Sequence, residues 1–194
     1  RFWDEREGLA VDTWNTEFTK LDSYRGINAN VHTVEAFLAV VDVTGKEEYR
    51  DRAGRVIDHV IAWAKENEWR IPEHFSSDWV ADLECNRDNP ADQFKPYGAT
   101  PGHGIEWGRL ITQWATSTYG DDTSAALPYL EAAQNLYNRA IGDAWNADGA
   151  PGIVYTTDWN GKPVVRDRMH WTLAEAINTS SVLYRVTGNE KYAS

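Results

Sequence analysis

Cysteine is nearly missing from this chain of 194 residues, which has only Cys85. One thiol cannot close an intrachain disulfide and has no partner for a CxxC redox or zinc pair, so this usage fits a reducing compartment and a cytoplasmic location is expected. Cations are also few: 19 Lys plus Arg stand against 30 Asp plus Glu, for a formal charge of -11. A partner gripped through its phosphates needs clustered cations, which argues against nucleic acid and an anionic membrane surface. Long apolar runs are missing as well. The longest stretch free of charged side chains, Leu110 to Gly120, falls far short of the roughly 18 to 20 apolar residues of a membrane helix. There is no phosphate-cradling glycine loop, no GxSxG elbow and no zinc spacing, so no metal site is expected.

What is abundant is aromatic surface, with ten Trp and nine Tyr. Flat apolar faces with a polar edge suit stacking on the C–H faces of sugars, although most of these rings are expected in the core. The length suits one domain with a real core. Helical periodicity dominates. Arg55 to Lys65 carries a single apolar stripe (Val56, Ile57, Val60, Ile61, Ala64), the mark of a surface helix. Trp107, Leu110, Ile111, Trp114 and Ala115 repeat that pattern, as do Leu130, Ala133, Leu136, Tyr137, Ala140, Ile141 and Ala144. Val31 to Val43 is apolar nearly all round, which predicts an inner helix packed on most sides. β signal is confined to Ile153–Thr157 and Lys162–Val165 flanking Asn160-Gly161, which predicts one small hairpin. Val80 to Thr100 reads as a long loop, and such loops inside compact domains tend to be functional. Arg1–Arg6 reads as the end of a helix already in progress and Glu190–Ser194 as the start of another, so the chain is expected to be a segment truncated at both ends.

An internal repeat organises these helices. Val43-Thr44-Gly45-Lys46-Glu47-Glu48-Tyr49 recurs as Val186-Thr187-Gly188-Asn189-Glu190-Lys191-Tyr192, with a weaker copy ending at Tyr119-Gly120-Asp121-Asp122, a period of roughly 70 residues that holds one helical hairpin. Two to three hairpins fit in the chain, too few to close a ring. Aligned on these ends, Asn28, His103 and Trp171 share one position, and His32, Trp107 and Glu175 lie one helical turn later. If the first helices of the hairpins form an inner ring, their N-terminal turns converge on a mouth lined by Asn28, His32, His103, Glu106, Trp171 and Glu175. Separate capping and packing roles are the competing reading.

Thr100-Pro101-Gly102-His103 reads as an N-cap followed by proline in the first helical position, placing His103 in the first turn. There the positive end of the helix dipole disfavours imidazolium, so a neutral, proton-accepting His103 is expected. Glu106, three residues on, is positioned to orient the ring or hold a sugar hydroxyl. His170 precedes Trp171 at a helix start within reach of the mouth. His74 reads as structural and His59 as solvated.

Three segments carry a family resemblance: Tyr24-Arg25-Gly26-Ile27-Asn28-Ala29-Asn30-Val31-His32-Thr33-Val34-Glu35-Ala36; Phe94 through Trp107, with Thr100-Pro101-Gly102-His103-Gly104-Ile105-Glu106 at its centre; and Arg168-Met169-His170-Trp171 with Ala174-Glu175-Ala176. Together they resemble the N-acylglucosamine 2-epimerase superfamily, and within it the aldose–ketose isomerases acting on mannose and related sugars. The resemblance implies an all-α fold, part of an (α/α)6 barrel with about three helical hairpins, forming residues 1–194 as a single segment. It also implies cofactor-free, metal-free proton transfer beside a sugar carbonyl. His103 would be one of two acid/base histidines working through a cis-enediol, supported by Glu106. Asn28, His32, His170, Trp171 and Glu175 would hold the opened monosaccharide. Relatives often have two aromatics where this chain has His170-Trp171. The family's second catalytic histidine and an active-site arginine fall outside these residues, which implies little or no isomerase activity from the segment alone and self-association of an open half-barrel. Three other readings stay open: a 2-epimerase, a glycoside hydrolase using a carboxylate pair such as Glu106 and Glu175, and a noncatalytic carbohydrate-binding half-barrel.

Overall fold

The computed structural model describes residues 1–193. Five long helices carry the fold. Helices α1 (Ile27–Thr44) and α2 (Glu47–Glu66) form a hairpin, α3 (Pro101–Tyr119) and α4 (Thr123–Ala144) form a second, and α5 (His170–Thr187) begins a third. The repeated Thr-Gly ends are the same device twice. Gly45 (φ 67°) and Gly188 (φ 64°) adopt the left-handed conformation, and their N–H groups return to Val41 O and Tyr184 O, closing α1 and α5. After Gly188 a single 3-10 turn, Glu190–Tyr192, stands where a new helix was expected.

Helix α3 is the centre of the molecule, packing on α4 and α5 and touching α1 and α2. The stripe read from its sequence is buried: Trp107, Leu110 and Ile111 are fully enclosed with Val56, Ile57 and Val60 of α2, Leu136 of α4 and Leu183 of α5. Its glycines permit this closeness. A Cβ on Gly102 would lie 2.5 Å from the Trp171 ring, and one on Gly108 would lie 3.1 Å from Ala133 O. Helix α2 buries one stripe and exposes the opposite face, as its periodicity requires. Helix α1 differs from expectation. Only Ile27, Asn30, Val31, Val34 and Val41 are buried, and Val43 is 85% exposed. Helices α2 and α3 cover one side of α1, so its apolar far side meets solvent.

The first residues also differ. Instead of a helix end, β1 (Trp3–Asp4) pairs antiparallel with β2 (Leu9–Ala10). The Asp4 carboxylate accepts the Arg6 and Glu7 N–H groups, and Gly8 turns with φ 73°. Asn30 fastens this ribbon to α1, its amide exchanging hydrogen bonds with the Ala10 backbone. A second two-stranded sheet, β3 (Arg25–Gly26) with β4 (His74–Phe75), joins the entrance of α1 to the segment after α2. The expected hairpin at Asn160-Gly161 is reduced to a bridge, Thr157 to Pro163, because proline brings no N–H to the ladder. Its turn is closed by Asp158 N donating to Lys162 O (2.8 Å). Residues 76–100 form the long loop that was expected, without a helix. His59 is half-buried rather than solvated, with Nε2 3.0 Å from Glu7 O and its ring stacked on Trp63. Among the described residues no helix is long and apolar enough to cross a membrane.

Candidate active site at the helix mouths

The first turns of α1, α3 and α5 do converge. They open into one cavity of about 580 Å³ that Asn28, His32, His103, Glu106, His170, Trp171 and Glu175 all line. Of the aligned positions, Trp107 alone turns away, fully buried in the core. Asn28 and His32 stand exposed on the α1 side, His170 is exposed at the start of α5, and Trp171 is half-buried, its ring centroid 5.5 Å from that of His103.

Pro101 occupies the first turn of α3 as expected, but Thr100 makes no side-chain cap. Its backbone N–H instead donates to Glu73 Oε1 (3.2 Å), while Glu73 Oε2 lies 2.8 Å from His103 Nδ1. Glu73 therefore takes the place beside the ring that Glu106 was expected to fill. The helix dipole is therefore not the only influence on the charge of His103. Burial opposes the imidazolium, but the Glu73 carboxylate, through charge and hydrogen bond, and then Glu106 outweigh it and raise the proton affinity above the ordinary histidine value. A full carboxylate charge at hydrogen-bond distance exceeds the partial charge of a helix terminus.

Glu106 accepts no hydrogen bond among the described residues. It is buried beside the cavity, and that burial raises its proton affinity even though His103 pulls the other way. Its nearest cation is Arg109, 3.8 Å away. Arg109 instead grips Glu175 with two bonds (Nε to Oε2 2.8 Å, Nη2 to Oε1 3.1 Å) and reaches Glu35 at 3.2 Å. Three carboxylates from α1, α3 and α5 thus surround one guanidinium, which holds the inner helices in register. His32, Glu35 and Glu106 bring possible ligand atoms within 4.8 Å of one another, but Arg109 already supplies the cationic partner there.

Several lining residues were not singled out in the sequence. Glu35 had a signal, since Asn28, His32 and Glu35 follow the i, i+4, i+7 face of a helix. Tyr24, Glu73, Gln93, Phe94, Pro96, Thr100 and Tyr155 come from extended segments, where no period marks them. His74, read as structural, is buried and locked, with Nδ1 2.8 Å from the Tyr24 hydroxyl and Nε2 2.8 Å from Pro96 O, although it also touches the cavity wall. Burial raises the Tyr24 phenol well above its usual range, so it stays protonated and donates to His74. The long loop adds Gln93, Phe94 and Pro96 to the rim.

Comparison with known proteins finds close similarity over the whole chain. The chain is 42% identical over 193 residues to a D-mannose isomerase of Pseudomonas cannabina pv. alisalensis, covering 99% of this chain and 47% of that protein. It is 40% identical to the D-mannose isomerase of Thermobifida fusca, covering 99% and 46% respectively. A crystal structure of D-mannose isomerase superposes with TM-score 0.89 at 28% identity, over 99% of this chain and 48% of that one. The cellobiose 2-epimerase of Spirochaeta thermophila shares the fold at TM-score 0.75 and 18% identity, over 98% and 46%. The chain thus spans about half the length of the relatives it matches, and its helical hairpins are part of an (α/α)6 toroid. All of it, residues 1–194, matches the sequence profile of N-acylglucosamine 2-epimerase (GlcNAc 2-epimerase), and the chain belongs to that family.

Proposed function

We propose that this chain forms part of the active site of a metal-independent aldose–ketose isomerase acting on mannose-type monosaccharides, and that residues 1–194 are one segment of a larger (α/α)6 barrel domain. The observation that carries the reading is the meeting of His103 and Trp171 in one cavity, at the N-terminal turns of neighbouring inner helices. Trp171 offers the opened sugar an apolar face, while Asn28, His32, Glu106, His170 and Glu175 offer hydroxyl partners. His103 removes the proton at C2 of the open-chain aldose, and the C2–H electrons pass toward the carbonyl to leave a cis-enediolate, whose O1 takes up a proton to give the cis-enediol. Delivery of a proton to C1 from His103, whose ring proton exchanges with solvent, with loss of the proton on O2, gives the ketose. No group beyond protein side chains is needed for this transfer, and a cytoplasmic location fits the substrate.

A glycoside hydrolase would need two free carboxylates. Both Glu175 oxygens are held by Arg109, which disfavours that reading. Incubating the chain with D-mannose in deuterated water and following the sugar by NMR tests the proposal. Slow appearance of fructose labelled at C1, abolished by His103→Gln, is expected, at a turnover far below that of a longer relative. C2-deuterated epimer without ketose would redirect the assignment to a 2-epimerase. Sugar bound with no exchange at all would leave a binding module.

A further inference from the structure

Glu73 lies outside the three helices that form the mouth, on the extended segment leading into β4, yet it is bonded to two of them. Its backbone carbonyl accepts the N–H of Ile27, the first residue of α1 (3.1 Å). Its side chain, 5% exposed, accepts the Thr100 N–H at the entrance of α3 through one oxygen and lies 2.8 Å from His103 Nδ1 through the other. We propose that Glu73 is the positioning residue of the proton transfer, holding His103 as the Nδ1–H tautomer and turning Nε2 toward the sugar. This rests on the reading of His103 as the proton-transfer group.

The tautomer follows from donor and acceptor chemistry. A carboxylate only accepts, so the short contact to Nδ1 requires the hydrogen on that nitrogen. Nε2 then carries the lone pair, and among the described residues it has no hydrogen-bond partner. The orientation is fixed from behind. With Oε1 tied to the Thr100 backbone, the carboxylate plane cannot swing, and the imidazole is pinned between it and the Trp171 ring. The groups facing His103 are Glu73 from the segment before β4, Glu106 from its own helix, uncharged Trp171 from α5, and Tyr155, which shares the cavity wall. Among the described residues Glu73 alone touches the ring through a hydrogen bond. Because the same residue holds the entrance of α1, it also sets the position of Asn28 relative to His103.

The test reads the ring directly and needs no turnover. Long-range nitrogen–proton NMR of the histidine-labelled chain, with His103 identified by loss of its signals in His103→Gln, reports both tautomer and titration midpoint. The neutral ring is expected as Nδ1–H. In Glu73→Gln, which keeps the shape and loses the charge, the proton affinity of His103 is expected to fall about tenfold, equivalent to one pH unit. Circular dichroism at wild-type strength establishes that this variant has folded. An Nε2–H tautomer in the wild-type chain would overturn the proposal without any variant, and so would an unmoved midpoint in folded Glu73→Gln. If the ring behaves as expected while mannose shows no exchange, Glu73 still orients His103 and only the isomerase assignment fails.

Discussion

At His103 two influences act on the same proton in opposite senses. The helix terminus and burial repel the charge, Glu73 and Glu106 attract it, and the net proton affinity is raised. A histidine raised in this way stabilises the fold fully below its unfolded value of about 6.5, and that contribution is lost as pH rises through the folded value. His103→Gln is therefore expected to lower stability more at about pH 6 than at about pH 9, as read from urea unfolding at each pH. Equal losses at both would show that the pair stores no proton-linked stability. At this scale the sequence was partly legible. Asn28, His32, His103, Trp171 and Glu175 could be aligned because each sits at a repeated position in a helix. Glu73 could not, because a side chain reaching from an extended segment leaves no period in the sequence. The raised proton affinity of His103 was missed for the same reason, since the carboxylate that raises it is 30 residues away in sequence and hydrogen-bonded to the ring.

Helix α3 serves both the core and the cavity wall, and its two faces separate the roles. Trp107 fills the core on one side, with 0% exposure, while His103 and Glu106 border the cavity on the other. Trp107→Ala is expected to cost about 3–5 kcal/mol, as large-to-small core changes do. Gly102→Ala acts differently. It places a methyl group 2.5 Å from the Trp171 ring, so an overpacking cost of about 1–3 kcal/mol is expected together with a shift in tryptophan fluorescence as Trp171 yields. A fluorescence spectrum and unfolding midpoint unchanged by Gly102→Ala would contradict the close approach of α3 and α5. The stripe of α2 was legible because that helix faces one core, whereas the apolar letters of α3 mark only part of a surface that also buries Glu106, Arg109 and Thr112 between its neighbours. Helix α1 was misread because apolar letters all round a helix record what that surface can bury, and among the described residues α2, α3 and the opening ribbon cover only part of it. The opening ribbon was misread because two-residue strands are too short for alternation to register.

Over the whole molecule, some of the apolar residues that remain uncovered cluster. Trp145, Leu173, Ile177 and Tyr184 are 40% to 66% exposed, and together they line a groove of about 770 Å³ along α4 and α5. Contiguous apolar surface of this kind favours association, and the isolated segment is expected to self-associate through it. Sedimentation velocity over a range of concentrations is expected to show a dimer that Ile177→Glu weakens. A wild-type chain that stays monomeric throughout would refute it.

The two long connections above the mouth are stitched to each other as well as to the helices. Ala99 exchanges both backbone hydrogen bonds with Thr157, and Gly98 is pressed against the Thr157 carbonyl so closely that no side chain fits. Farther out, the Trp159 indole donates to Leu83 O. The roof over the cavity is therefore a single woven piece, and an insertion in either connection would disturb the ceiling contributed by the other, which makes this seam an unforgiving place to graft a new loop.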